Sequence, residues 1–202
     1  HSYFSKIKTN IYKKIERDLA KKTTKIIAIS PIQKEELSKV HKICKPEKIE
    51  VIPLGFDLSK FYKNKEAKRE KFRKKWRIKD SEVAIGIIGR LVPIKNHLFF
   101  IKAINQVLSS CSIPIRFFIV GDGEEKENII EYINELKIDY STDDKVATIQ
   151  LTSWIKEIDE VNAGMDIICL CSLNEGTPVS LIEAQASGKP IVTTRTGGIE
   201  NI

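Results

Sequence analysis

The sequence has no apolar run that approaches the roughly 18 residues of a membrane-spanning helix. Its first residues, HSYFSKIKTN, lack the apolar core of a signal peptide. The chain does not begin with Met, so we expect its true termini to lie beyond both ends. The four cysteines form no CxxC pair, and no histidine lies at metal-ligand spacing from them. These absences favour a reduced, cytoplasmic protein without a metal site.

Positive charge is concentrated in the first part of the chain. Residues 1–80 carry 24 Lys or Arg against 10 Asp or Glu, a net charge of +14, whereas residues 81–202 have a net charge of −7. The basic residues peak at 64–79, where Phe72 and Trp76 lie four apart and predict an amphipathic helix with a solvated charged face. An alternative is peripheral contact of the basic 60–79 region with the anionic inner face of a membrane. No recognition motif accompanies the charge, and we expect no nucleic-acid binding.

The segment before Pro53 reads as two helices and two short strands. Apolar residues recur every fourth position at Ile7, Ile11, Ile15 and Leu19, which predicts a helix with one face that packs on a sheet. KIIAIS and IEVI are the predicted strands. Between them, Ser30 and Pro31 predict the N-cap and first turn of a second helix.

From Val83 onward, apolar segments alternate with amphipathic ones. The predicted strands are VAIGIIG, IRFFIV, VATIQL, MDIICL and PIVTT, with a helix between each pair. This alternation predicts a doubly wound parallel sheet covered by helices on both faces. Pro53 and Gly55 interrupt regular structure before it. We therefore predict an α/β chain with two domains, the end of a first α/β domain at 1–57 and a Rossmann-like domain at 58–202.

Two loops of the second domain should meet at one cleft. In a doubly wound sheet the first strand commonly lies beside the fourth, and ligands bind beyond the carboxyl ends of the strands at this point. The first loop, GRLVPIKN, is opened by Gly89 and carries Arg90 and Lys95, two cations that suit a diphosphate. The second loop, CSLNEGTP, follows the fourth strand.

The second loop and the helix after it place two carboxylates around an anion site. Thr177 and Pro178 predict the N-cap and first turn of the helix, whose free amides attract a phosphate. Glu175 precedes this turn, and Glu183 follows two helical turns later. Both carboxylates can accept hydrogen bonds from neutral hydroxyls on either side of the phosphate, one from a sugar ring and one from a ribose. This arrangement predicts a nucleotide-sugar site.

Two other features of the sequence could indicate a different chemistry. The GDG of residues 121–123 lacks the third glycine of a dinucleotide fingerprint, and the acidic residues that follow would repel a pyrophosphate, so a tight turn near the nucleobase is favoured. Neither His41 nor His97 lies in a sequence motif of a hydrolase with a carboxylate or a serine, which disfavours hydrolase chemistry.

Five segments together resemble a known enzyme family. VIPLGFDLSKF, IGIIGRLVPIKN, FFIVGDGEE, MDIICLCSLNEGTPVSLIEAQASGKPIV and TGGIEN, in this order and spacing, are similar to the retaining GT-B glycosyltransferases of the group-1 (family 4) type. The resemblance covers the whole chain, about the last third of a first domain and most of the second. It implies transfer of a sugar from a UDP-, GDP- or ADP-sugar to a saccharide or lipid-linked acceptor, with retention of configuration, in surface polysaccharide or glycolipid synthesis.

The resemblance also implies residue roles. Arg90, Lys95 and Glu175 would be catalytic, with the two cations offsetting the charge that grows on the diphosphate, so that no metal or other cofactor is needed. The donor-binding set would be Gly89, Arg90, Lys95, Glu175, Gly176, Thr177, Pro178, Val179 and Glu183.

Several positions depart from the family pattern. Leu54 stands where Asn usually precedes Gly55, Ser153 stands where Gly is common, and Glu200 with Asn201 replaces a frequent Pro-Glu. The acceptor-side part of the first domain is absent, so we expect this fragment to bind donor and to be inactive alone. The alternatives are a nucleotide-sugar epimerase on the same scaffold and a non-catalytic membrane-docking module.

Overall fold

The computed structural model describes residues 6–201, and the chain divides between Phe56 and Asp57 into two compact units. The first unit contains α1 (Lys6–Lys22), β1 (Ile26–Ala28), α2 (Pro31–Glu35) with a π-helical continuation at Glu36–Val40, a 3-10 turn at Pro46–Lys48 and β2 (Ile49–Val51). β1 and β2 pair in parallel, with Ile26 opposite Ile49. The predicted N-cap is confirmed, because the Ser30 hydroxyl accepts a hydrogen bond of 3.1 Å from the Gln33 amide.

The apolar stripe of α1 forms as predicted but is not covered. Ile7, Ile11, Ile15 and Leu19 are exposed by 74%, 53%, 49% and 58%, whereas Ala20 on another face is buried. The expectation that this face packs on a sheet is therefore wrong for the described residues. The two strands described in this unit have three residues each and offer little sheet surface for this face.

The second unit is an alternating α/β structure. Its elements are α3 (Ser59–Tyr62), α4 (Lys65–Lys75), β3 (Val83–Ile88), a 3-10 turn at Pro93–Lys95, α5 (His97–Ser110), β4 (Ile115–Val120), α6 (Lys126–Glu135), β5 (Tyr140–Ser141), β6 (Ile149–Ser153), α7 (Ile158–Gly164), β7 (Ile167–Leu170), α8 (Val179–Ala186), β8 (Ile191–Thr193) and a 3-10 turn at Gly197–Asn201. Only the two-residue β5 has no counterpart among the strands predicted from the sequence.

The six strands form one parallel sheet in the order β5-β6-β4-β3-β7-β8. β3 lies between β4 and β7, with Ile87 opposite Ile119 on one side and Cys169 on the other. The strand order reverses at this point, so the predicted doubly wound sheet is confirmed. The loops that follow β3 and β7 leave the same edge of the sheet as neighbours.

The core of this unit has two layers, one on each face of the sheet. Phe117 and Phe118 are consecutive in β4, so their side chains point to opposite faces. Phe118 packs in the layer that contains Phe72 and Trp76 of the α4 region, and Phe117 packs against Phe100 of α5. All five side chains are less than 9% exposed.

The basic helix α4 forms as predicted, but its cations are not all solvated. Arg69 and Arg73 both bind Asp166, at 2.7 and 3.1 Å. Two further pairs link α4 to α7, Lys68 with Asp159 and Lys71 with Glu160. The interpretation of this charged face as simply solvated is therefore wrong for Lys68, Arg69 and Arg73, because α4 packs along the acidic helix α7, whereas Lys71 stays 68% exposed. Across the described part of the chain, no helix is both long and apolar enough to cross a membrane.

Candidate functional site

The loop after β3 is shaped by a second loop packed against its backbone. The Leu91 amide donates to the Asp122 carbonyl at 3.0 Å, and the Glu125 amide donates to the Leu91 carbonyl at 2.9 Å. A Cβ on Gly121 would lie 1.9 Å from the Gly89 oxygen, and Gly121 has a φ of +147°. The GDG segment therefore needs glycine in order to approach and hold the loop that carries Arg90 and Lys95.

The two predicted loops meet, although their site residues are separated by 80 positions in the sequence. The ammonium Nζ of Lys95 lies 2.6 Å from Oε1 of Glu175, and the Leu173 amide donates to the Ile94 carbonyl at 2.8 Å. The side chains of Lys95 and Glu175 are only 22% and 10% exposed. The prediction that these loops meet is confirmed by these contacts, while a shared donor cleft and the roles of the residues as donor ligands stay predictions.

Glu175 is held by residues whose part in the site was not predicted. The hydroxyl of Ser172, which is 1% exposed, donates a 2.5 Å hydrogen bond to Oε1 of Glu175. The Gly198 amide donates to the Glu175 carbonyl at 2.8 Å. The only sequence signals were the position of the serine three residues before Glu175 and the TGG motif near the end of the chain.

The two glycines of the TGG motif lie directly on the Glu175 loop. A Cβ on Gly197 would come within 2.2 Å of the backbone carbonyl oxygen of Glu175. A Cβ on Gly198 would come within 1.7 Å of the backbone carbonyl oxygen of Gly176. Gly197 also has a φ of +52°, in the left-handed region. Backbone contact as close as this fixes the position of Glu175 and Gly176 in the cleft.

The start of α8 differs from its prediction. Pro178, not Thr177, is the N-cap, with φ −79° and ψ 79°, and no side chain caps the helix. The cause is a tight turn in which the Val179 amide donates back to the Thr177 carbonyl at 2.9 Å, which leaves Pro178 as the first intrahelical acceptor. Among residues 6–201, no group accepts from the amide of Ser180, so this N–H is available at the helix start.

Glu183 lies on α8 beside two fully buried residues, Leu181 and Ala184. Its side chain is half-buried, and burial raises the pKa of this carboxyl above its usual value, with Lys60 opposing and Asp159 adding to the shift. No hydrogen-bond donor reaches its carboxylate from the described part of the chain. A half-buried acceptor without a partner is suited to hydroxyl groups of a ligand.

Arg90 follows Gly89 at the end of β3, and its side chain is exposed. Its guanidinium makes no hydrogen bond or ion pair within residues 6–201. By contrast, the Lys95 ammonium is already paired with Glu175. The site therefore contains one unpaired planar cation and one cation in a neutralised pair.

His97 begins α5 directly below this loop and is 3% exposed. Burial, followed by the nearby Lys95, lowers the pKa of His97 to about 4, so the imidazole is neutral at physiological pH. Neither ring nitrogen has a partner within the described residues. His97 also lines a cavity of about 190 Å³ together with Val92, Pro93, Asn96, Leu98, Glu125 and Ile129.

The structure gives a reason for Ser153, which departs from the glycine of the family pattern. Ser153 has a left-handed φ of +55°, a conformation that favours glycine. Its hydroxyl donates to Asp122 at 2.6 Å, and its carbonyl accepts from the Gly121 amide at 3.0 Å. The serine thus ties the end of β6 to the GDG loop. In the described chain, His, Cys, Asp and Glu side chains form no group of three that could hold a metal ion.

Comparisons with known proteins agree with this architecture. A family model for group 1 glycosyl transferases matches residues 82–202. A UDP-Gal:α-D-GlcNAc-diphosphoundecaprenol α-1,3-galactosyltransferase from Escherichia coli is 35% identical over 192 residues, which cover 93% of this chain and 47% of that enzyme. The chain belongs to the group 1 glycosyltransferase family.

Solved structures show the fold of this group 1 glycosyltransferase chain. The crystal structure of Anabaena HepE in complex with UDP and glucose matches 99% of the chain and 51% of HepE, with a TM-score of 0.79 and 21% identity. WaaG, a glycosyltransferase involved in lipopolysaccharide biosynthesis, matches 88% of the chain and 46% of its own, with a TM-score of 0.72 and 21% identity. The fold is that of the GT-B glycosyltransferases, and the chain spans about half the length of the proteins that it matches.

Proposed function

We propose that this chain is the donor-binding part of a glycosyltransferase that moves a sugar from a nucleotide-diphosphate sugar to an acceptor with retention of anomeric configuration. The observation that carries the proposal is the 2.6 Å contact of Lys95 with Glu175, which joins a cation and a carboxylate from two distant loops. Family membership supports the same reading, because the family model covers both loops.

In this proposal the donor diphosphate lies between the β3 loop and the start of α8. Arg90 offers a guanidinium fork that no described residue occupies, and Lys95 offers an ammonium with three donors, one of them used by Glu175. The Thr177–Val179 turn and the Ser180 amide add a helix N-terminus. These groups offset the negative charge that grows on the leaving phosphate, and we propose that the reaction therefore needs no metal.

In this proposal Glu175 and Glu183 each bind hydroxyl groups of a different sugar ring of the donor. Glu175 accepts hydrogen bonds from hydroxyls of the donor sugar, beside the diphosphate and next to Gly176. Glu183 accepts from the ribose hydroxyls, and its half-buried position without a partner supports this role. Gly89 allows close approach of the donor, because it adds no side chain beside the Lys95 stem.

Retention follows in this proposal from the position of the diphosphate. The leaving phosphate oxygen stays on the same face as the incoming acceptor and accepts the acceptor's hydroxyl proton as the glycosidic bond breaks. Arg90 and Lys95 lower the energy of the separated charges in this transition state.

The relatives suggest which donor and acceptor to test first. The E. coli relative is named for UDP-galactose as donor and a lipid diphosphate as acceptor, and HepE was crystallised with UDP and glucose. We propose a UDP-sugar as the first donor class, ahead of a GDP- or ADP-sugar, and a saccharide or lipid-linked acceptor in surface polysaccharide or glycolipid synthesis.

A lipid-linked acceptor also bears on the basic residues around α4. Lys68, Arg69, Lys71 and Arg73 pair with the unit's own acids, but an outer set remains exposed, namely Lys63, Lys74, Lys75, Arg77 and Lys79. Each exposed cation near an anionic bilayer contributes about 1 kcal/mol to the free energy of membrane binding. We propose that this set contacts the cytoplasmic face of the membrane.

Calorimetry of the chain with UDP, GDP, ADP and UDP-galactose tests the proposal. We expect one nucleoside diphosphate to bind, Glu183→Ala to weaken it, and Glu175→Ala to weaken the sugar-bearing donor more than the bare diphosphate. Glu131→Ala on the exposed face of α6 is the matched control and should change neither the affinity for the nucleoside diphosphate nor that for the sugar-bearing donor.

Two outcomes would contradict the proposal. Equal affinities of wild type and Glu183→Ala would refute the ribose assignment, and absence of all nucleotide binding would favour a non-catalytic docking module. With the full-length protein, conversion of the donor sugar to an isomer without acceptor would identify an epimerase. The chain alone is expected to bind donor without turnover.

A further inference from the structure

Ser172 lies two residues after the end of β7, in the loop that carries Glu175. It is 1% exposed, and its hydroxyl donates to Oε1 of Glu175 at 2.5 Å. Its carbonyl is occupied as well, because the hydroxyl of Thr194 donates to it at 2.8 Å. The hydroxyl and the carbonyl of Ser172 thus both have partners, and the hydroxyl cannot turn away from Glu175 without losing its hydrogen bond in a buried position.

Two hydrogen-bond donors share a single carboxylate oxygen of Glu175. Oε1 accepts from Ser172 and from Lys95, whose ammonium lies 2.6 Å away. Within residues 6–201, no group donates to Oε2. A carboxylate held through one oxygen in this way has a defined orientation and presents its other oxygen to a ligand.

The two contacts on Oε1 of Glu175 should respond differently when a nucleotide-sugar donor binds. Lys95 is proposed to bind the diphosphate, and an ammonium that moves toward a phosphate weakens its hold on Glu175. Ser172 cannot follow, because it is buried just beyond the end of β7, and it carries no charge that a phosphate would attract. The hydroxyl is therefore the contact that keeps Glu175 in place once the diphosphate is bound.

We propose that Ser172 is a positioning residue for donor-sugar recognition, which fixes Oε1 of Glu175 so that Oε2 accepts from the sugar hydroxyls while Lys95 serves the diphosphate. This inference deepens the proposed function and rests on it. It adds a residue that does not touch the donor and acts only through Glu175.

Titration of the chain with UDP and with UDP-galactose tests this role. Ser172→Ala should lower the affinity for UDP-galactose about tenfold, the scale of a hydrogen bond to a charged group, and leave the affinity for UDP within about twofold. Ser172→Thr, which retains the hydroxyl, should restore part of the loss. Ser187→Ala is the matched control, because Ser187 is 2% exposed and its hydroxyl has no partner among the described residues, so the same change should affect neither ligand.

A double-mutant comparison separates positioning from a general loss of structure. In a Glu175→Ala background, Ser172→Ala should cause no further loss of UDP-galactose affinity, because its effect passes through the missing carboxylate. The inference is overturned if Ser172→Ala lowers the affinities for UDP and UDP-galactose equally. It is also overturned if Ser172→Ala lowers the UDP-galactose affinity as much in the Glu175→Ala background as in the wild type. Failure of the wild type to bind UDP, GDP or ADP overturns the proposed function itself, whereas tight binding of UDP-galactose by both wild type and Ser172→Ala overturns only the role of Ser172.

Discussion

The guanidinium of Arg73 lies 3.1 Å from Oδ2 of Asp166 and the residue is only 6% exposed, so a charge of α4 is buried against the start of β7. Arg69 binds the other carboxylate oxygen of Asp166 at 2.7 Å, and the Ala84 amide of β3 donates to Oδ2 at 2.7 Å. Burial alone would raise the pKa of Asp166, but these three donors outweigh it and hold the pKa below its usual value. Asp166 therefore joins α4 to the middle of the sheet.

Loss of this carboxylate should destabilise the second unit strongly. Asp166→Ala leaves Arg73 buried without its ion-pair partner, which typically costs about 3–5 kcal/mol. Urea unfolding monitored by tryptophan fluorescence measures this loss of unfolding free energy, because both tryptophans lie in this unit. Lys145→Ala, which breaks a pair whose side chains are 82% and 55% exposed, should change the unfolding free energy by less than about 0.5 kcal/mol. Similar losses for both variants would contradict a dominant role for Asp166.

His97 should make the second unit sensitive to mild acid. Its folded pKa of about 4 lies below the unfolded value of 6.5, so the unfolded chain binds the extra proton between these values. Stability is therefore present above pH 6.5 and falls as the pH drops toward 4, by about 2 kcal/mol between about pH 7 and about pH 5. His97 is the only histidine of this unit.

The variant His97→Leu isolates this effect. It removes the titrating ring but keeps an apolar side chain in a helix, so its unfolding free energy should change less than that of the wild type over the same pH range. Urea unfolding by tryptophan fluorescence at several pH values gives the comparison. Parallel curves for the two proteins would show that another group causes the acid sensitivity.

Lys95 should control the affinity for the diphosphate. Lys95→Met removes the ammonium and leaves the Glu175 carboxylate with Ser172 as its described partner, so UDP should bind about tenfold or more weakly, the range of a charge-assisted hydrogen bond. The affinity for uridine, which has no phosphate, should not change. Lys102→Met on the exposed face of α5 is the control for loss of one positive charge. Equal weakening by both variants would point to net charge and not to a specific contact.

Gly198 should be needed for the shape of the donor cleft. In Gly198→Ala the new Cβ would lie 1.7 Å from the Gly176 oxygen, so the Glu175 loop must move. A shift of this kind should lower the affinity for UDP-galactose about tenfold or more. Gly55→Ala, where nothing lies within 4 Å of the new Cβ, is the matched control. Calorimetry of both variants checks this, and unchanged binding by Gly198→Ala would show that the TGG contact does not shape the site.

Much of the second unit was predictable from the sequence, because each element has a local signal. The apolar strands and the helix at 97–110 follow directly from the hydrophobic pattern, and the reversal of strand order at β3 and β7 follows from the rules of doubly wound sheets. The positions of Lys95 and Glu175 at the two facing loops follow from the same rules. The start of α8 was predicted less well, because the turn at Thr177 and Pro178 competes with an ordinary N-cap and no pattern reveals which one forms.

The amino-acid sequence by itself determined the order of elements, the parallel sheet and the two loops that carry the candidate ligands, since periodicity and turn residues act over a few positions. Only the tertiary structure decided what holds those ligands and where the basic helix directs its charge. Ser172 and the TGG motif support Glu175, and Arg69 reaches Asp166 from 97 residues away. Such contacts depend on how packed elements bring distant side chains together, and that information is not contained in any local pattern.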